Sequence, residues 1–149
     1  MRQMLTYLLL ILIIICSLVA SGEELNLDWS IVSKKGEYYL ENRGLKFKYN
    51  FKFLGGTPHI ISAKTYQQNR RYHIIEYYAG NAGTSKIVHA NMMLIFDSKE
   101  KKVAIDYFSK RWSNEDGKEI LDDIEWTFSP NKIVIHDGIQ LSEDMLINL

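Results

Sequence analysis

The chain has 149 residues, with 18 Lys and Arg balanced by 18 Asp and Glu, 46% hydrophobic residues and one cysteine. Its apolar and aromatic content excludes a disordered chain, and 9 Gly with 2 Pro exclude a collagen-like one. The zero formal charge argues against nucleic acid as a partner, and the length suits one domain.

Residues 1–22 read as a secretory signal peptide. Arg2 precedes an apolar run from Leu8 to Ile15, and Ser17, Ala20, Ser21 and Gly22 supply a small-residue exit before Glu23 and Glu24. The stretch from Leu5 to Ala20 falls short of the ~20 residues that cross a bilayer comfortably. An uncleaved single-span anchor is the alternative, and it is the only route to a membrane. Ile13, Ile14 and Ile15 precede Cys16 where a lipidation signal wants a small residue, which disfavours a lipoprotein. Removing the leader takes Arg2 and Cys16 with it. The remaining 23–149 region has 17 cations against 18 anions and no thiol, so its stability rests on a hydrophobic core.

That region reads as one all-β domain. Trp29 to Ser33 predicts a first strand, the Lys34-Lys35-Gly36 turn follows, and Glu37 to Leu40 predicts a second. Glu41-Asn42-Arg43-Gly44 then leads into Leu45–Phe53, where apolar residues at 45, 47, 49, 51 and 53 alternate with polar ones. Gly55-Gly56-Thr57-Pro58 breaks the chain. His59–Tyr66 and Tyr72–Ala79 flank a polar tip, and Gly80–Ser85 reads as a small-residue loop before Ile87–Phe96. Asp97–Lys101 turns into Val103–Phe108. The polar connection Asn114–Asp123 invites one helical turn around Lys118–Leu121. Ile124, Trp126 and Phe128 alternate, Ser129-Pro130-Asn131 turns, and Lys132–His136 returns. Leu141–Leu149 is open between a short helix and a last strand. The expectation is an antiparallel meander of about 8–9 strands closing into a single sandwich or barrel, with at most one or two short helical turns.

Candidate chemistry is sparse. His59, His73, His89 and His136 show no short metal-ligand spacing, and His73 and Glu76 fall on opposite faces of their strand. The string from Gly80 to Lys86 is not a phosphate loop: two residues separate its glycines where four are required, and a strand follows. Placing Gly117 as the glycine of an EF-hand puts Trp112 where a carboxylate is required, so that motif fails as well. No nucleophile elbow occurs. No catalytic, metal or cofactor residue is therefore assigned.

Tyrosine is the compositional excess, nine in all. In the pairs Tyr38/Tyr39 and Tyr77/Tyr78, one ring of each should face inward and one outward. Outward tyrosines give large contact area at low entropic cost, and glycine-rich loops turn backbone N–H groups outward. Tyr77, Tyr78, Gly80, Asn81, Gly83, Thr84 and Ser85 are therefore the candidate partner-binding residues. The expected function is that of a secreted or periplasmic, non-enzymatic binding protein of the inhibitor or immunity type, with another envelope protein as partner. A β-barrel carrier of a small apolar ligand or lipid is one alternative. An envelope hydrolase with a site formed by distant residues is another.

Overall fold

The computed structural model describes residues 28–83, 87–113, 119–120 and 124–149. The expected leader, Thr84, Ser85 and most of the acidic connection lie outside them. Every regular element among the described residues is a strand. These are β1 (Trp29–Lys34), β2 (Glu37–Asn42), β3 (Leu45–Lys48), β4 (His59–Thr65), β5 (Tyr72–Ala82), β6 (Val88–Asp97), β7 (Lys102–Ser113), β8 (Glu119–Ile120), β9 (Ile124–Ser129), β10 (Lys132–Asp137) and β11 (Met145–Asn148). All strand pairs are antiparallel and follow chain order, in sheets β1–β3, β4–β8 and β9–β11.

The fold class is thus the expected all-β meander, with more strands than the pattern suggested. The C-terminal segment resolves to strand β11. Of the expected helical turn, Glu119 and Ile120 instead pair with Ser113 and Trp112, and its other residues lie outside the described set.

The central sheet buries both faces. Ile75, Tyr77, Ala79, Met92, Leu94 and Phe96 pack with Trp29, Leu40 and Phe51 on one side. Tyr72, Ile74 and Ile95 pack with Ile133 and Ile135 on the other. Strands covered on both faces need apolar residues without alternation, which is why Met92–Phe96 reads MMLIF. Each fully buried Ile or Leu of these clusters stabilises the fold by about 1.5–3 kcal/mol.

The alternating run from Leu45 to Phe53 is not one strand. Pairing with β2 stops at Lys48, apart from a 3.3 Å bond from Tyr49 N to Tyr38 O. Beyond it the central sheet captures the chain. Leu54 N donates to Ala79 O at 3.0 Å, and Asn81 N donates to Gly55 O at 3.3 Å. A parallel bridge joins Gly55 to Gly80, where the β5–β6 register shifts. The period of two persists because Phe51 still packs inward, edge-on to Tyr77 at 5.2 Å.

Aspartates close two of the turns. Asp97 Oδ1 accepts from the N–H groups of Lys99 at 2.9 Å and Glu100 at 3.0 Å, while Arg71 binds the same carboxylate. Asp137 Oδ1 accepts from Ile139 N and Gln140 N, and its Oδ2 accepts from Tyr107 and Arg111. Its carboxyl is held below the ordinary range. Burial works against the charge, but the two turn N–H groups, Tyr107 and Arg111 outweigh it.

Candidate functional site

One corner of the central sheet gathers aromatic and imidazole rings. Tyr78 on β5 lies opposite Asn91 on β6, and the register shift between Tyr78 and Gly80 then places Asn81 opposite His89. Trp112 on β7 is His89's other cross-strand neighbour. The Tyr78 hydroxyl is hydrogen-bonded to His89 Nδ1 at 2.7 Å, and the imidazole stacks on Trp112 at 5.3 Å and 12°. His59, paired with Tyr78 at the start of β4, brings its ring to 5.2 Å, and Lys110 Nζ lies 6.0 Å from the Trp112 ring. Tyr78, His89 and Trp112 are half-buried, while His59 and Asn81 are exposed. Stacking and the hydroxyl–imidazole bond hold the rings in place before any partner arrives, which reduces the ordering cost of a contact.

Between this corner and the apolar core beneath β9–β11 runs a polar row. Glu76 Oε1 accepts from Asn91 Nδ2 at 3.2 Å and from Ser109 Oγ at 2.9 Å. His73 lies on the opposite face against Trp29, with ring centroids 5.3 Å apart. Burial holds its imidazole below the ordinary histidine range. His73 and Glu76 are therefore on opposite faces, as the spacing predicts.

The candidate residues divide on inspection. Tyr78 and Asn81 belong to the corner, and Gly83 is exposed beside it at φ 103°. Thr84 and Ser85 lie outside the described residues. Tyr77 is corrected: it is fully buried, so it offers no surface to a partner. Gly80 is corrected as well. Gly80 to Ala82 are strand rather than loop, and a Cβ on Gly80 would lie 1.5 Å from Gly55 O. Its glycine answers to a backbone crossing, not to recognition.

Tyr77 instead serves a second cluster. Its hydroxyl and that of Tyr49 both donate to Asp106 Oδ2 at 2.8 Å, and Lys52 Nζ donates to the Asp106 carbonyl at 2.7 Å. Among the described residues, Asp106 Oδ1 is buried with no hydrogen-bond partner. Burial pushes the Asp106 carboxyl up despite its two tyrosine donors. Burial, followed by the Asp106 charge, pushes both tyrosines far above the ordinary range. The cluster ties the chain after β3 to β7 and β5.

Sequence reasoning missed His59, His89 and Trp112 as neighbours of Tyr78. The available signal was β7 continuing past Phe108 through Ser109, Lys110 and Arg111, a polar stretch that resembles a strand end. Among the described residues, no group of three His, Cys, Asp or Glu gathers to hold a metal ion. Comparison with protein families, with curated proteins and with solved structures finds no match.

Proposed function

We propose that this chain is a secreted or periplasmic binding protein, of the inhibitor or immunity type, that acts by contact with another envelope protein. The aromatic corner of Tyr78, His89 and Trp112, rimmed by Asn81 and His59, is the contact surface. The observation that carries this reading is a cluster of contact-prone rings, pre-ordered and half-exposed, beyond the polar row of Glu76, Asn91 and Ser109. Tyrosine and tryptophan dominate binding energy at interfaces because each brings a large rigid area with a polar handle. The leader expected over residues 1–22 supports the location.

The test is affinity capture from envelope extracts with the wild-type protein beside Tyr78→Ala/Trp112→Ala and Asn81→Arg. Asn81→Arg alters the rim while leaving the stacked rings in place. The expected result is a protein retained by the wild type, and lost or weakened at least about tenfold in both variants, as removal of one or two interface anchors implies. Urea unfolding must show that both variants remain folded. Equal retention by all three proteins, or no retained protein, overturns the reading.

A further inference from the structure

The two ends of the strands differ in charge. At one end the hairpin turns meet. Ser98 N in the β6–β7 turn donates to Arg71 O of the β4–β5 turn at 2.9 Å, and Asn69 Nδ2 donates to Pro130 O of the β9–β10 turn at 3.4 Å. Trp29, the first residue of β1, packs on His73 near the start of β5 and Phe96 near the end of β6. The β2–β3 turn belongs to the same end, because Asn42 is paired with Trp29 and Arg43 binds Asp28 at 2.6 Å.

Cations gather on these turns. Arg43 is paired with Asp28, Lys46 with Glu41, and Arg71 with Asp97 and Glu100. Arg70, Lys99, Lys101, Lys102 and Lys132 are exposed, and among the described residues none of their side chains has a carboxylate partner. Eight cationic side chains thus stand against four carboxylate side chains and the carboxylate of Leu149, whose N–H donates to Asn131 O at this end. The other end is different: Lys34 and Lys35 are accompanied by Glu37, and the loop from β10 to β11 carries Glu143 and Asp144. The sequence between Ser113 and Ile124 adds Glu115, Asp116, Glu119, Asp122 and Asp123.

The basic end also carries an exposed apolar residue. Leu45, directly after the β2–β3 turn, is 63% exposed. The described chain begins here as well. Only residues 21–27 separate Asp28 from the apolar run that ends at Ala20, and seven residues span at most about 25 Å. A chain still attached to its leader therefore holds this end, rather than the acidic one, near a bilayer. Cations spread over separate turns with a leucine among them fit an extended anionic surface. Lysine and arginine are drawn to anionic headgroups within about a Debye length, and an apolar side chain enters the headgroup–acyl boundary.

We propose that the basic end docks on an anionic phospholipid surface, with Leu45 entering the headgroup region. The contact does not require an uncleaved leader. It also leaves the aromatic corner free, since Asn81, His89 and Trp112 lie toward the other ends of β5, β6 and β7.

The experiment is co-sedimentation of residues 23–149 with vesicles of phosphatidylcholine, alone or mixed with phosphatidylglycerol. Both apolar clusters draw only on residues 29–149, so this chain keeps its core. It should bind the anionic vesicles saturably, at least about tenfold more tightly than the neutral ones, and should weaken as salt is raised. Lys101→Glu/Lys132→Glu should weaken that binding by at least about tenfold. Lys34→Glu/Lys35→Glu makes the same change in net charge at the other end and should weaken it by less than about threefold. Leu45→Asn should weaken it by at least about threefold. Urea unfolding checks that each variant is folded. Equal binding to both vesicle types, or equal losses in the two charge reversals, overturns the proposal. It is also overturned if Leu45→Asn binds vesicles like the wild type while free polyglutamate binds as tightly as the vesicles, which assigns the basic end to an acidic protein instead.

Discussion

Replacing Gly80 with alanine tests whether β5 is shaped by a backbone crossing. Gly80 has φ 98°, and an added Cβ would lie 1.5 Å from Gly55 O and 2.9 Å from Gly55 N. None of the nearest atoms is a flexible side-chain end, so the Gly55 backbone must move. The positive φ alone costs an L-residue about 1–2 kcal/mol. Displacing Gly55 also breaks the bonds from Asn81 N to Gly55 O and from Leu54 N to Ala79 O, at about 1 kcal/mol each. The sum is roughly 3–4 kcal/mol. Gly44 is the control: it has φ 81° in the β2–β3 turn, and a Cβ there meets nothing within 4 Å. Gly44→Ala should therefore cost only the conformational part, about 1–2 kcal/mol. Urea unfolding of both variants, with the slope m checked for constancy, measures the difference. The expected gap is about 2 kcal/mol. Equal midpoints for the two variants would refute the crossing as the reason for glycine at position 80.

Three further outcomes follow from the polar clusters. Arg71 first, then the turn N–H groups of Glu100 and Lys99, lowers the Asp97 carboxyl from 3.8 to about 2. A depressed acid contributes stability above its unfolded value and loses it as pH falls through the folded value. Wild type should therefore exceed Asp97→Asn by about 2 kcal/mol at pH 7, a gap that closes between about pH 5 and pH 2 in paired urea titrations. Asp106 has the opposite sign: its raised carboxyl favours the folded state below its titration and loses that contribution as pH rises through it. The stability of wild type relative to Asp106→Asn should thus increase on acidification, as measured by the same titrations. Arg111 and Asp137 form a buried pair at 2.7 Å, with side chains 8% and 0% exposed. Arg111→Met should cost about 3–5 kcal/mol by leaving a buried carboxylate without its cation, and Arg111→Met/Asp137→Asn should cost less than the single change; a double variant no better than the single one would count against the pair.

The fold was legible where local chemistry decides it. Asp97 to Lys101 read as a turn, and there the Asp97 side chain binds the N–H groups of the residues that follow it. Period two separated Tyr77 from Tyr78, but nothing local says which ring is inward. That choice comes from Tyr49 and Asp106 converging on Tyr77 from distant parts of the chain. The end of β3 was illegible for the same reason: alternation continues to Phe53, while the backbone partner changes from β2 to β5. Gly80 looked like a loop glycine because its constraint is Gly55, which only tertiary register brings alongside. His89 and Trp112 became part of the candidate site through two cross-strand pairings that no single segment encodes.

The polar row explains why the aromatic corner calls for more than a folding argument. Beneath β9–β11, rings and aliphatic side chains on the central sheet repay their presence by burial against Ile133 and Ile135. Glu76 accepts from Asn91 and Ser109 in the row that follows, and beyond it on β7 Arg111 is still held by Asp137 of β10. Past that row, Tyr78, His89 and Trp112 remain half-exposed, and each contact within the cluster contributes about 0.2–1 kcal/mol. A purely structural role predicts that Tyr78→Ala/Trp112→Ala loses an amount of that size in urea unfolding and alters nothing else. A contact role predicts the same small loss of stability together with loss of a retained partner. Measuring both quantities on one variant separates the two roles, because the structural account has no means of changing binding while the fold stays intact.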